Sequence, residues 1–264
     1  LEDQIARILY NLVDRPVLSS KLTSGDAIAL PSFGEITPGL VADVIVKRLK
    51  PHSGPVPELE SRARQMNTMA EAVLLEGQSA RAPFFCSGCP HNTSTNVPEG
   101  SRAMAGIGCH GMAYSIPERR TSLITQMGGE GATWIGQAPF TSEGHVFQNM
   151  GDGTYMHSGL LAIRAAAAAG VNITYKILFN DAVAMTGGQE HDGELTVPLI
   201  TRQVAAEGAK KIYVVSDEPE KYESRAGLAS GVKVHHRDDL TAIQKELRDT
   251  PGVTVLVYDQ TCAA

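Results

Sequence analysis

The sequence predicts a doubly wound α/β domain: a mostly parallel sheet with helices on both faces, preceded by a mainly helical N-terminal segment. Three observations carry that prediction. From Pro83 onward, short β-branched runs alternate with helical ones, and glycine-rich turns stand where the predicted strands end. A chain of 264 residues with 42% apolar content can also bury one substantial core, with room for at most one small extra domain.

The first 78 residues lack this alternation. Leu1 to Asp14 reads as an amphipathic helix, and Thr37 is placed as the N-cap of a second helix, with Pro38 at its first position and its end at Leu49. The stretch Pro51-His52-Ser53-Gly54-Pro55-Val56-Pro57 is expected to break that helix and act as a hinge. A third helix is predicted over Glu58 to Leu75, followed by coil from Glu76 to Pro83. No chemistry is legible here, so residues 1–78 are read as an upstream connecting segment and residues 79–264 as the ligand-binding domain.

In that domain the predicted strands are Ser122 to Met127, Val146 to Met150, Ile173 to Phe179, Lys211 to Val215, Val232 to His235 and Val253 to Tyr258. Helices are predicted over Leu160 to Ala169, Leu195 to Gly208 and Asp238 to Arg248. The alanine run Ala165 to Ala169 reads as a small-residue face lying close against the sheet. In such an architecture ligands bind at the carboxyl ends of the strands.

A formal charge of -6 and a pI near 5.8 leave no electrostatic footprint for a phosphate backbone, which argues against a nucleic-acid partner. The longest apolar run, Leu160 to Val171, contains Arg164 and is too short to span a bilayer, so no membrane role is expected. The first residues do not resemble a signal peptide. A soluble cytoplasmic protein is the expectation, and the start on Leu1 and abrupt end on Ala264 suggest a piece of a longer one.

Val146 to Met150 runs directly into Gly151-Asp152-Gly153-Thr154, and a helix follows. A strand, a glycine turn and a helix N-terminus place free N–H groups where a diphosphate can sit. An aspartate between the glycines would repel phosphate unless a cation lies between them, which implies Mg²⁺. Asn180, at the end of the next predicted strand, is brought by one βαβ unit to the same sheet edge. Gly-Asp-Gly alone is a common turn; with Asn180 and Thr186-Gly187-Gly188-Gln189 beyond it, the pattern resembles the signature of thiamine-diphosphate enzymes. That resemblance implies Asp152, Asn180 and the carbonyl of Ala182 as Mg²⁺ ligands, with Gly151, Gly153, Thr154 and Thr186 also in the cofactor site.

The sequence has four cysteines, and without a secretory signal Cys86-Ser87-Gly88-Cys89 reads as a metal chelate rather than a disulfide motif. Cys109 follows in a glycine loop and Cys262 lies just past the last strand. Four thiolates suit a [4Fe-4S] cluster or a zinc ion equally well by spacing.

The cysteine motifs, Gly151-Asp152-Gly153, Asn180 and Met185-Thr186-Gly187-Gly188-Gln189 occur in the order seen in 2-oxoacid:ferredoxin oxidoreductases. The strings Cys89-Pro90-His91-Asn92-Thr93-Ser94-Thr95, Gly128-Gly129-Glu130-Gly131-Ala132-Thr133-Trp134-Ile135-Gly136-Gln137 and Tyr258-Asp259-Gln260-Thr261-Cys262-Ala263-Ala264 resemble the indolepyruvate branch, especially its fused-chain bacterial members. The resemblance covers residues 79–264 and implies the thiamine-diphosphate-binding fold, with Cys86, Cys89, Cys109 and Cys262 holding one [4Fe-4S] cluster. It also implies an enzyme that oxidatively decarboxylates an aryl or branched 2-oxoacid, with coenzyme A as co-substrate and ferredoxin as electron acceptor. In that family a separate pyrimidine-binding domain supplies the activating glutamate, and the whole enzyme pairs into a homodimer. No such domain is legible here, so the chain alone is expected to be inactive. Met185 stands where pyruvate-specific relatives carry Asn, which fits a bulkier substrate.

Two rival functions are a non-oxidative thiamine-diphosphate decarboxylase or synthase, which has no need of four cysteines, and a zinc-stapled scaffold. His91 and His110 read either as cluster-tuning or as surface polar groups. His52, His145, His157, His191, His235 and His236 read as structural or solvated, and Trp134 as a packing residue.

Overall fold

The computed structural model describes residues 2–18, 21, 30–31, 36–75, 83–191 and 193–263, with backbone alone for 70–75. The chain divides into two compact units, Leu1–Arg81 and Ala82–Ala264. The predicted coil over 76–82 and the 78/79 boundary lie outside the described residues, as does Ala264.

The first unit contains helices α1 (Glu2–Leu9), α2 (Pro38–Ser53) and α3 (Pro57–Leu75). Thr37 caps α2 as expected, its Oγ1 accepting the Leu40 N–H at 3.3 Å. Pro51 does not end this helix, contrary to the sequence reading. A proline this near the C-terminus forfeits only one ladder bond, and its fixed φ is helical. The stop comes at Gly54, whose φ of 74° no other residue adopts as cheaply. Helices α2 and α3 are tied by Asn67 Nδ2 donating to Asp43 Oδ2 at 2.8 Å and by a Lys50–Glu60 ion pair at 3.1 Å.

The second unit is the α/β domain. Its order is α4 (His91–Ser94), β1 (Ala103–Ala105), β2 (Thr121–Ile124), α5 (Ala132–Gln137) and β3 (Val146–Gly151). A continuous helical stretch follows, comprising α6 (Asp152–Thr154), a π turn (Tyr155–Gly159) and α7 (Leu160–Ala169). Then come β4 (Ile173–Phe179), α8 (Val197–Ala206), β5 (Lys211–Ser216), β6 (Lys233–His236), α9 (Leu240–Arg248) and β7 (Val253–Asp259). Among the described residues the sheet has seven strands in the order β2-β1-β3-β4-β7-β5-β6, and every strand pair is parallel.

Burial explains the layers. The odd-numbered residues of β4 and β7, Ile173, Tyr175, Ile177, Val253, Val255 and Val257, pack under α5, α7 and α8 through Trp134, Ile163, Ala166, Ile200 and Val204. The even-numbered face carries Leu178, Leu256 and Tyr258 against Leu240, Ile243 and Leu247 of α9. Each large apolar side chain so buried contributes roughly 1.5–3 kcal/mol. Strands covered on both faces read as continuous apolar runs, which is why β3, β4, β5 and β7 stand within a residue of their predicted bounds.

The sequence reading missed β1, α4 and α5. β1 is Ala-Met-Ala, three residues without a β-branched side chain, all buried. The predicted strand Ser122 to Met127 stops at Ile124, because its short partner β1 runs out there.

Candidate functional site

Four neighbouring strands end at one edge, and each runs into a motif segment. β1 leads to Gly106–Cys109, β3 to Asp152–Thr154, β4 to Asn180–Ala182, and β7 to Cys262. A cleft of about 430 Å³ opens there, lined among others by Cys109, His110, Gly151, Asp152, Gly153, Thr154, Asn180, Ala182 and Thr186. Met127, Met156, Leu178, Val183 and Met185 give it an apolar wall.

Asp152 is buried and bound by backbone donors. Its Oδ2 accepts the N–H groups of Asn180 at 2.8 Å and Asp181 at 2.9 Å, and its Oδ1 accepts the Gly153 N–H at 2.8 Å. Asp181 adopts a φ of 58°, turning both amides inward. Burial raises the Asp152 carboxyl above the usual carboxylate range, against these donors and His191. The Asn180 Oδ1 accepts the Ala182 N–H at 3.3 Å. Gly151 is a close-approach glycine, since a Cβ there would lie 3.1 Å from His110 Cε1. Thr154 Oγ1 donates to the Ile107 carbonyl at 3.3 Å. Thr186 sits farther out, exposed, with its hydroxyl on Gln189 Oε1 at 2.8 Å.

The donors Asp152, Asn180 and the Ala182 carbonyl are all oxygen, the chemistry Mg²⁺ prefers. One carboxylate plus neutral oxygens suits an ion whose remaining ligands are phosphate and water. Among the described residues, no three His, Cys, Asp or Glu side chains form a group that could hold a metal ion.

All four cysteines are free thiols. The Cys89 amide closes a turn on the Cys86 carbonyl at 3.1 Å, Gly88 supplies a φ of 75°, and a Cβ on Gly88 would lie 3.7 Å from Ala263 Cβ. Burial pushes the Cys89 thiol up, and Cys262, Cys86 and Cys109 push it further by mutual repulsion. Burial also raises Cys109, with Cys262 and Cys86 adding to it. These mutual repulsions place the thiols near one another, Cys86 exposed and the other three half-buried, and thiolate is the donor chemistry an iron-sulfur cluster takes, although among the described residues they are not gathered into a metal-holding group.

Sequence reasoning left several site residues without a role. His91 and His110 are not surface groups: both are buried, their rings 5.6 Å apart, and desolvation lowers them to about 4 and about 3. Lys176 is fully buried on β4, lowered to about 7 by desolvation, and its Nζ donates to the Asn96 carbonyl at 2.8 Å. His191, read as structural or solvated, places Nε2 3.5 Å from Asp152 Oδ1. Glu130 is buried between glycines, and that placement was its one sequence signal.

Residues 106–258 match the family described as thiamine pyrophosphate enzyme, C-terminal TPP binding domain; thiamine pyrophosphate is another name for thiamine diphosphate. The likeness to 2-oxoacid:ferredoxin oxidoreductases extends to curated relatives. The indolepyruvate oxidoreductase subunit IorA of Thermococcus kodakarensis is 27% identical over 204 residues, covering 69% of this chain and 30% of that protein. IorA of Methanothermobacter marburgensis is 28% identical over 124 residues, covering 43% of this chain and 20% of that protein. The chain thus spans less than a third of the length of these relatives. Among solved structures, 2-oxoglutarate:ferredoxin oxidoreductase from Magnetococcus marinus, with 2-oxoglutarate, coenzyme A and succinyl-CoA bound, shares the fold. Its TM-score is 0.53 at 19% identity, covering 70% of this chain and 66% of that one.

Proposed function

Because the chain belongs to the thiamine pyrophosphate enzyme family through its C-terminal TPP binding domain, we propose that it is the Mg-thiamine-diphosphate and [4Fe-4S] part of an indolepyruvate-type 2-oxoacid:ferredoxin oxidoreductase. The whole enzyme would convert an aryl or branched 2-oxoacid to its acyl-CoA, pass electrons to ferredoxin and work as a homodimer in the cytoplasm. One observation carries the reading: the oxygen donors at Asp152 and Asn180 and two of the four cysteines, Cys109 and Cys262, follow the carboxyl ends of neighbouring strands.

When bound, thiamine diphosphate supplies the electron sink for loss of CO₂ from a 2-oxoacid. This chain's residues would anchor and orient it. Asp152, the Asn180 amide oxygen and the Ala182 carbonyl would hold Mg²⁺ against the diphosphate. Gly151 and Gly153 let backbone approach closely, with Thr154 and Thr186 at either side. The three methionines, Leu178 and Val183 would keep the cleft apolar and poor in water, and an apolar Met185 suits a bulkier substrate side chain. Cys86, Cys89, Cys109 and Cys262 would hold the cluster within reach of electrons from that site. The activating glutamate would come from a pyrimidine-binding domain on the remainder of the enzyme.

Anaerobic reconstitution with iron and sulfide tests the electron-transfer half. The expected product has a broad visible absorption band that bleaches on reduction, and Cys86→Ala prevents it from forming. A colourless protein holding one zinc would overturn the reading in favour of a stapled scaffold.

A further inference from the structure

We propose that Glu130 is a positioning residue that clamps the Cys109 loop to the diphosphate loop. The proposal rests on the cofactor reading above for its consequence, though not for its geometry. Glu130 has no exposed surface. Its Oε2 accepts the Gly128 N–H at 2.6 Å and its Oε1 accepts the Ile107 N–H at 3.3 Å. The Thr154 hydroxyl also stands against the carboxylate, while donating to the Ile107 carbonyl at 3.3 Å. Glu130, Ile107 and Thr154 therefore close a ring across three loops. Ile107 lies two residues before Cys109, and Thr154 two after Asp152.

The surrounding glycines are shaped to this carboxylate. A Cβ on Gly106 would lie 3.3 Å from Glu130 Cγ and 2.7 Å from His110 Nε2. Gly131, at φ 85°, lies against the Tyr175 ring, where a Cβ would come 2.7 Å from Cζ. The Cys109 loop can close on Glu130 because Gly106 has no side chain, and Gly131 lets the Glu130 loop lie against Tyr175.

The energetics point away from a merely stabilising role. The groups that favour the charged form are backbone N–H donors and a hydroxyl, not cations, while burial opposes it. An apolar side chain of similar size packed in this place would avoid that desolvation cost. A carboxylate beside a diphosphate loop also repels the ligand. What the side chain offers in return is two acceptors on one rigid group, aimed at two loops.

The test compares wild type, Glu130→Gln and Glu130→Ala by two measurements. In the first, Mg²⁺ with thiamine diphosphate is titrated calorimetrically. Glu130→Ala is expected to weaken binding by roughly tenfold or more, as two charge-assisted bonds are lost. Glu130→Gln is expected to weaken it less, because its amide oxygen still accepts one of the two N–H groups while its NH₂ can accept neither. In the second, the cofactor-free protein is alkylated and read residue by residue. The Cys109 rate is expected to rise several-fold in both variants while exposed Cys86 keeps its rate, a split that general loosening would not produce. Unchanged or tighter cofactor binding with an unchanged Cys109 rate overturns the proposal. If Glu130→Ala does not fold, the shape-preserving Gln variant decides. A wild type that binds no cofactor sinks the cofactor reading, and the labelling still judges the clamp.

Discussion

The Cys262 amide donates to the Asn180 carbonyl at 3.2 Å. The bond extends the parallel pairing of β4 and β7, in which Phe179 stands opposite Asp259, past the end of both strands. One thiol is thereby fixed to the backbone of a candidate Mg²⁺ ligand. Cys262→Ala keeps that backbone bond and removes only the sulfur. We expect this variant to lose most reconstituted iron and sulfide while binding Mg-thiamine diphosphate as before; chemical iron analysis and calorimetry check the two halves.

Asp152 provides a pH test. Its carboxyl is raised by burial, so in the cofactor-free protein its contribution to stability is fully present at acid pH and is lost as pH rises through the raised value. Melting curves of wild type and Asp152→Asn should therefore converge or cross in favour of wild type as pH falls. A gap independent of pH contradicts the shift. Mg²⁺ with thiamine diphosphate should stabilise wild type by several degrees and the variant much less.

The Lys176 ammonium donates to a neutral acceptor, the Asn96 carbonyl, and desolvation lowers its pKa from 10.5 to about 7. The unfolded chain protonates near 10.5 and the folded chain near 7, so stability should rise with pH across that window. Lys176→Met should abolish this slope and leave the neutral-pH stability unchanged or higher, by up to about 4 kcal/mol. Denaturant melts at several pH values give the answer.

Gly106→Ala should damage the site directly. The new methyl would press on the Asn149 carbonyl, which belongs to β3 and cannot swing aside, as well as on His110. Overpacking of this kind costs about 1–3 kcal/mol, and the expected readouts are a lower melting temperature and a loss of cofactor affinity. Gly136→Ala, which meets open space, serves as the control and should change neither.

The doubly wound sheet was legible because its central strands are buried on both faces and read as uninterrupted β-branched runs. The glycine turns after β3 and β4 were legible because Gly151, Gly153, Gly187 and Gly188 punctuate them. Other features depend on register between strands far apart in sequence, which local pattern does not encode. The Cys262–Asn180 bond is one. The burial of Lys176 is another: a lysine in a strand reads as solvent-facing until Asn96, eighty residues earlier, covers it. β1 escaped notice because alanines carry no strand signal, and with it went the placement of Gly106–Cys109 at a strand end. His191 lies beyond the Thr186–Gln189 motif, and nothing local marks its approach to Asp152.

The account turns on Asp152 holding Mg²⁺ against a diphosphate. Calorimetric titration of the protein with thiamine diphosphate, with and without Mg²⁺, measures this most directly. The predicted result is one-to-one binding that requires Mg²⁺ and is abolished in Asp152→Ala. Binding that is indifferent to Mg²⁺, or that survives the loss of the Asp152 carboxylate, would contradict it.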